Sequence, residues 1–283
     1  MAYVNSASLV STQQLADYMR APDVRIVDAS WHMPATKRNP RAEYDAAHIP
    51  GAVFFDIDEI ADLDNPLPHM VPSPEKFSSR MRKLGLGDGN RIIIYDTNGT
   101  VSATRAWWML RLFGHQDVAV LDGGLPKWIA EGRPVEDTPV LPTERHFTAR
   151  INSFLLREKD QVARNIETAR EQVLDARSPG RFTGTEPEPR EGLRGGRIPG
   201  SKNLPFTDLF KPDGTLLDAP ALQAAYEKAG IDLKAPVITT CGSGISACVL
   251  AFGLHLLGHK RVAVYDGSWT EWAKDESLPV ATG

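Results

Sequence analysis

Cys241 opens the run CGSGISA, between the apolar VITT that precedes it and the apolar CVLAFGL that continues it. That order predicts a strand, a tight turn and a helix. In such a turn the backbone N–H groups of residues 242–247 gather round the sulfur, and the positive end of a helix dipole lies beside it. Both effects favour the thiolate, the nucleophilic form of cysteine. Gly242 and Gly244 lack the Cβ atoms that would keep a ring of amides from closing. Read alone, the same residue is equally a small apolar side chain buried in a turn.

The rest of the chain argues for chemistry. Residues 114–124, GHQDVAVLDGG, return as GHKRVAVYDGS 144 positions later, and Trp128 returns as Trp272. Upstream, RIVDAS answers to QVLDARS, HIPGA to RIPGS, and IIIYDTNGTVSA to VITTCGSGISA. The chain is therefore a domain duplication. Asp96 stands where the second copy has Cys241. A site kept only for packing would not exchange a cysteine for an aspartate, so the pattern predicts one working half and one supporting half.

A cysteine phosphatase needs an arginine six positions after its nucleophile, and here that position is Ala247. The turn contains no arginine or lysine, so a dianion finds no partner within it. What it offers is a compact neutral cradle, suited to the outer sulfur of a persulfide held by main-chain donors. Positive charge is available elsewhere, in GRFTGTEPEPREG, where Arg181 and Arg190 lie nine apart in a segment predicted to be a structured loop and not a helix. Two guanidinium groups there would supply the positive charge missing from the cysteine turn. By themselves they read as solvated surface arginines.

With 283 residues, 42% hydrophobic and 24% charged, the chain has room for two cores of ordinary soluble composition. The net charge of −4 and a pI near 6.0 argue against nucleic acid or an anionic membrane as partner. No apolar run reaches the length of a membrane span, and the first twenty residues lack the basic and apolar blocks of a secretory signal, so a cytoplasmic protein is expected. Cys241 and Cys248 are seven positions apart, about 10 Å of helical rise, too far for a disulfide, and free thiols are expected.

Each half alternates short β-branched runs with helix-like segments, which predicts an α/β fold of mainly parallel sheets flanked by helices. Strands are predicted at 25–28, 52–54, 91–95 and 118–121, and again at 172–175, 201–204, 237–240 and 262–265. Helices are predicted at 11–19, 73–83, 102–112 and 125–131, then at 165–172, 220–229, 246–257 and 268–273. Ser11 and Ser73 are expected N-caps, the first approximating a capping box with Gln14; Gly114 and Gly258 are expected helix stops. The proline- and charge-rich stretch after residue 132 reads as the connection, giving domains over 1–135 and 161–283 with a linker at 136–160.

The paired domains, HIPGA, GRFTGTEPEPREG and CGSGISA together resemble the rhodanese superfamily, and within it the 3-mercaptopyruvate sulfurtransferases, over nearly the whole chain. Members that prefer thiosulfate typically carry a basic C-R-K-G-V-T-A loop, whereas the mercaptopyruvate branch carries C-G-S-G-V-T-A. Here Ile245 and Ser246 replace valine and threonine, keeping the β-branched filler and the hydroxyl.

The resemblance implies two tandem rhodanese-like domains with the site in the second, closed by the first. Sulfane sulfur would pass from 3-mercaptopyruvate through a Cys241 persulfide to cyanide or a thiol such as thioredoxin, with no metal or organic cofactor. Arg181 and Arg190 would bind the substrate, Gly242, Gly244, Ile245, Ser246 and Ala247 would form the cradle, and Ser243 with His48 would relay a proton. An isolated histidine at the start of a strand, such as His48, is more often structural, and its acidic partner is undefined between Glu43 and Asp45. A thiosulfate sulfurtransferase and a passive persulfide carrier remain as alternatives. The pair His255 and His259 reads as structural and Cys248 as core. Trp107 and Trp108 are expected between the halves, and Asp122 and Asp266 as caps of turns.

Overall fold

The computed structural model describes residues 2–283, and the repeat in the sequence is a repeat in space. The first copy runs β1 (Leu9–Val10), α1 (Thr12–Tyr18), β2 (Val24–Asp28), α2 (Pro40–Ala46), β3 (Val53–Phe54), α3 (Ile57–Ile60), α4 (Pro74–Lys83), β4 (Arg91–Tyr95), α5 (Val101–Leu112), β5 (Val118–Leu121) and α6 (Gly124–Ala130). The second runs β6 (Leu156–Arg157), α7 (Lys159–Thr168), β7 (Gln172–Asp175), α8 (Pro179–Thr183), β8 (Lys202–Asn203), α9 (Ala219–Lys228), β9 (Val237–Thr240), α10 (Ala247–Leu256), β10 (Val262–Tyr265) and α11 (Ser268–Lys274). Each copy folds into a five-stranded parallel sheet, ordered β1-β5-β4-β2-β3 and β6-β10-β9-β7-β8. The α/β expectation holds, and all eight predicted strands are present.

The differences have local causes. Strands β1 and β6 are two residues each, too short to show a period, and β6 falls within the stretch read as connection. Helix α7 starts six residues before the predicted 165–172 because the Gln161 side chain accepts the Glu158 N–H and fixes an earlier first turn. It ends at Ala169 in the left-handed region. Arg181 sits in the single helical turn α8, nucleated by Pro179 under the Ser178 cap, where a loop was expected. The capping box at Ser11 and the cap at Ser73 form as predicted, and Gly114 and Gly258 take positive φ just beyond their helices.

Helices α5 and α10 lie between the sheets and share one apolar core that runs through both domains. Trp107 meets Phe252 edge to face at 4.8 Å, and Arg111 packs over Trp107 at 5.0 Å while donating to His255 Nε2 at 3.3 Å. Arg111 and His255 are themselves 144 positions apart, so residues related by the repeat meet, as across an approximate twofold axis. Asp122 and Asp266 follow the same logic and correct the expectation of simple turn caps. Asp122 accepts the N–H of Leu216 at 2.9 Å, and Asp266 accepts that of Val71 at 2.7 Å, so each domain ties down the backbone of the other. No helix among the described residues is long and apolar enough to cross a membrane.

Candidate active site

Cys241 follows directly on the carboxyl end of β9, where open parallel sheets place their ligands. Its sulfur accepts the Gly244 N–H at 3.2 Å, and its own N–H donates to Ser268 Oγ at 3.2 Å. The carbonyls of the turn are pulled outward by the start of α11. Trp269 N–H donates to Cys241 O at 2.9 Å, and Thr270 gives both N–H and hydroxyl to Gly242 O, at 2.9 and 2.6 Å. A trans peptide points its N–H opposite its carbonyl, so the amides of Gly242 and Ser243 face the other way. Gly244 is required here: its φ is +82°, and a Cβ would sit 2.8 Å from Asp266 O.

The first repeat shows what such a ring of amides binds. Asp96, fully buried, accepts the N–H groups of Asn98 (2.8 Å) and Thr100 (3.0 Å) on one oxygen. Its other oxygen accepts Ala103 N–H at 2.7 Å and Ser102 Oγ at 3.2 Å. The turn of the first copy, Asp96–Ala103, is one residue longer than Cys241–Ala247, and its Thr100 N–H bonds the carboxylate as the Gly244 N–H bonds the sulfur. A carboxylate thus fills in the first copy the anion-binding ring that the second copy presents around sulfur.

Cys241 is only 2% exposed, yet it lies on the wall of a cleft of about 410 Å³ between the domains. Gly242, Ser243, Ile245 and Ser246 line it beside the sulfur, and Ala247 lies behind them as the first residue of α10. The first domain closes the cleft with Trp31, His32, Met33, Arg38 and Asn98, none of which sequence reasoning singled out. The signal for Trp31, His32 and Met33 was the RIVDAS motif, which ends just before them, and that for Asn98 was the IIIYDTNGTVSA segment that contains it. Trp31 is held by its indole N–H to Asp58 Oδ2 at 3.0 Å and by the edge of His69 at 4.8 Å, and His69 pairs with Asp58 at 2.8 Å.

Arg181 and Arg190 converge on the cysteine turn from the second domain. A Cβ on Gly242 would meet Arg181 Nη2 at 2.9 Å and Arg190 Nη1 at an ordinary 4.0 Å, so both guanidinium groups lie against the turn and the missing side chain makes room for that of Arg181. Arg181 is anchored by Glu188 Oε2 at 2.6 Å, while Glu188 Oε1 takes Arg177 at 2.6 Å and Arg177 pairs with Asp175 at 2.7 Å. Arg190 makes no ion pair among the described residues. Burial draws its pKa down, and the Cys241 sulfur is the largest influence holding it up. It is the uncommitted cation of the cleft.

His48 is not brought to this site. Its backbone pairs in both directions with Glu136, its Nδ1 faces Tyr44 O at 2.8 Å, and its ring stacks on Tyr44 at 4.2 Å. The second repeat has Arg197 at this place, bridged in the same way to Ala281, so the position closes a loop in each domain. Of the acids considered for it, Glu43 binds Arg38 and His32, and Asp45 binds Arg41. The proposed relay through His48 to Ser243 is therefore not assembled, although Ser243 lines the cleft.

Cys248 lies in the core, its thiol donating to Gly244 O at 3.2 Å and pushed up to about 12 by burial. Both cysteines are free. His255 contacts Asn5, Ser8 and Arg111, and His259 faces Ala235 O, with no metal-holding cluster among the described residues.

Residues 11–131 and 158–275 each match the rhodanese-like domain. The chain is 41% identical to human 3-mercaptopyruvate sulfurtransferase over 94% of its own length and 91% of the relative's. It is 42% identical to mouse thiosulfate sulfurtransferase with the same coverage of both. Among solved structures it superposes on SseA from Escherichia coli, described as having the rhodanese fold of 3-mercaptopyruvate sulfotransferases. The TM-score there is 0.86 at 38% identity, covering 93% of this chain and 98% of that one. With both repeats matched and relatives aligned along nearly its full length, the chain belongs to the rhodanese family.

Proposed function

We propose that this enzyme is a 3-mercaptopyruvate sulfurtransferase whose nucleophile is Cys241. The observation that carries the reading is the juxtaposition of a cysteine turn without charge and two guanidinium groups seated over Gly242. The carboxylate and keto oxygen of the donor meet Arg181 and Arg190, which sets its sulfur against Sγ. The Cys241 thiolate attacks that sulfur, an S–S bond forms, and the C–S bond breaks with its electrons going to the enolate of pyruvate. The proton of the donor thiol passes to the enolate carbon, with the Ser243 hydroxyl placed to carry it. Pyruvate leaves, and an ionised persulfide remains in the amide ring. An acceptor thiolate or cyanide then attacks the outer sulfur and returns Cys241 to its thiolate. These steps use no metal or organic cofactor.

A thiosulfate sulfurtransferase is the second reading, supported by the mouse relative of that name. Against it stands the turn itself, which gives a dianion no cationic residue between Cys241 and Ala247. Two free, buried cysteines accord with a reducing compartment, and we read the cytoplasm as its location. A small or protein thiol of the thioredoxin kind is our expected acceptor.

The deciding experiment incubates the protein with 3-mercaptopyruvate alone. The mass of the Cys241 peptide should rise by one sulfur as pyruvate appears, Cys241→Ser should do neither, and kcat/KM should favour mercaptopyruvate over thiosulfate. A protein that gains sulfur only from another persulfide, without pyruvate, would be a passive carrier.

A further inference from the structure

Two of the turn's carbonyls are drawn outward by α11, but the third, that of Gly244, is held from the other domain. Arg105 of α5 is completely buried and donates to Gly244 O at 3.2 Å, to Asp266 Oδ1 at 2.6 Å and to the carbonyl of His69. Its guanidinium lies 4.6 Å over the ring of Trp108, which seals it from solvent. Cys248 Sγ donates to the same Gly244 carbonyl at 3.2 Å. Held there, the carbonyl points the Ile245 N–H in the opposite direction, into the ring. The second repeat has valine and leucine, Val249 and Leu250, at the positions 144 and 145 beyond Arg105, so only the first domain supplies this arginine, and it supplies it to its partner.

We infer that Arg105 is a positioning residue of the sulfur cradle: by fixing the Gly244 carbonyl it aims the Ile245 amide at the outer sulfur of the persulfide, so the first domain completes the site it does not itself use. The inference rests on the sulfurtransferase reading for its kinetic arm. Arg105 touches neither donor nor sulfur and acts through the backbone it orients. Asp266 keeps the buried guanidinium charged: burial alone would lower its pKa, and the carboxylate reverses that.

The test compares Arg105→Lys with the charge-balanced pair Arg105→Met/Asp266→Asn, which leaves no lone buried ion. Pyruvate release is followed across donor concentrations, and iodoacetamide alkylation of Cys241 is timed without donor. Loss of one aimed amide should lower kcat about ten- to a hundredfold in the pair, and less in the lysine variant. KM should stay within about twofold, since Arg181 and Arg190 are untouched. Alkylation should slow several-fold. A pair that folds with an unchanged cooperative thermal transition yet keeps both rates overturns the inference, as does a loss confined to KM. If the pair does not fold, the lysine variant decides on the same readings. Because alkylation needs no donor, it reports on the turn even if mercaptopyruvate proves not to be the substrate.

Discussion

Asp96 and Cys241 occupy equivalent turns, and the carboxylate of the first makes four hydrogen bonds to the ring in which the sulfur of the second receives one from the backbone, Gly244 N–H. The first copy has satisfied its anion hole internally. In the reaction we propose, the second keeps it open for a sulfur that arrives and leaves, and this difference would separate the supporting domain from the working one.

Asp96→Asn tests the closed ring. An amide keeps one acceptor oxygen but places an NH2 against N–H or hydroxyl donors. Thermal or urea denaturation should show a loss of about 1–3 kcal/mol, and a stability equal to the parent would refute the capping role.

Glu188 joins Arg177 and Arg181 through its two oxygens, and its side chain is 2% exposed. In Glu188→Gln, Arg181 loses its charged anchor, and steady-state pyruvate release should show KM for mercaptopyruvate rising roughly tenfold, equivalent to about 1.4 kcal/mol of lost orientation. An unchanged KM would mean that Arg181 needs no anchor.

Gly242→Ala asks whether space above the turn matters. The added Cβ meets Arg181 Nη2 at 2.9 Å, the end of a flexible side chain, so the fold should survive while the guanidinium moves. We expect kcat/KM to fall about tenfold with little change in the thermal midpoint. Equal loss of stability and activity would point instead to the backbone.

His255 makes the domain interface sensitive to acid. Burial and the neighbouring Arg111 pull its pKa down to about 3, from an ordinary 6.5. Between those values the unfolded chain binds the proton and the folded chain does not, so stability rises with pH across the window and is lost as pH falls through it. The thermal midpoint should drop from pH 7 to pH 4, and His255→Gln should flatten that slope.

The repeat, the parallel order of the strands and the neutral cysteine turn were all legible because each is local: a shift of 144 positions, a β-branched run, two glycines beside a thiol. Arg181 and Arg190 read from their residues alone as solvated surface arginines, and it was the resemblance of GRFTGTEPEPREG to the family motif that marked them as substrate ligands. His48 was misplaced because a motif shows that a loop is built alike in relatives, not which way its side chain faces; here that ring is spent on Tyr44.

Which residues of the first domain close the cleft and brace the cysteine turn was beyond the sequence, since Trp31 and Arg105 lie 210 and 136 positions from Cys241 and no periodicity links them. The sequence alone determined two α/β units and one candidate nucleophile. Only the packing of α5 against α10 decided that a buried arginine of one domain would hold a carbonyl of the other, because a contact between distant segments exists only once both are folded around a common core.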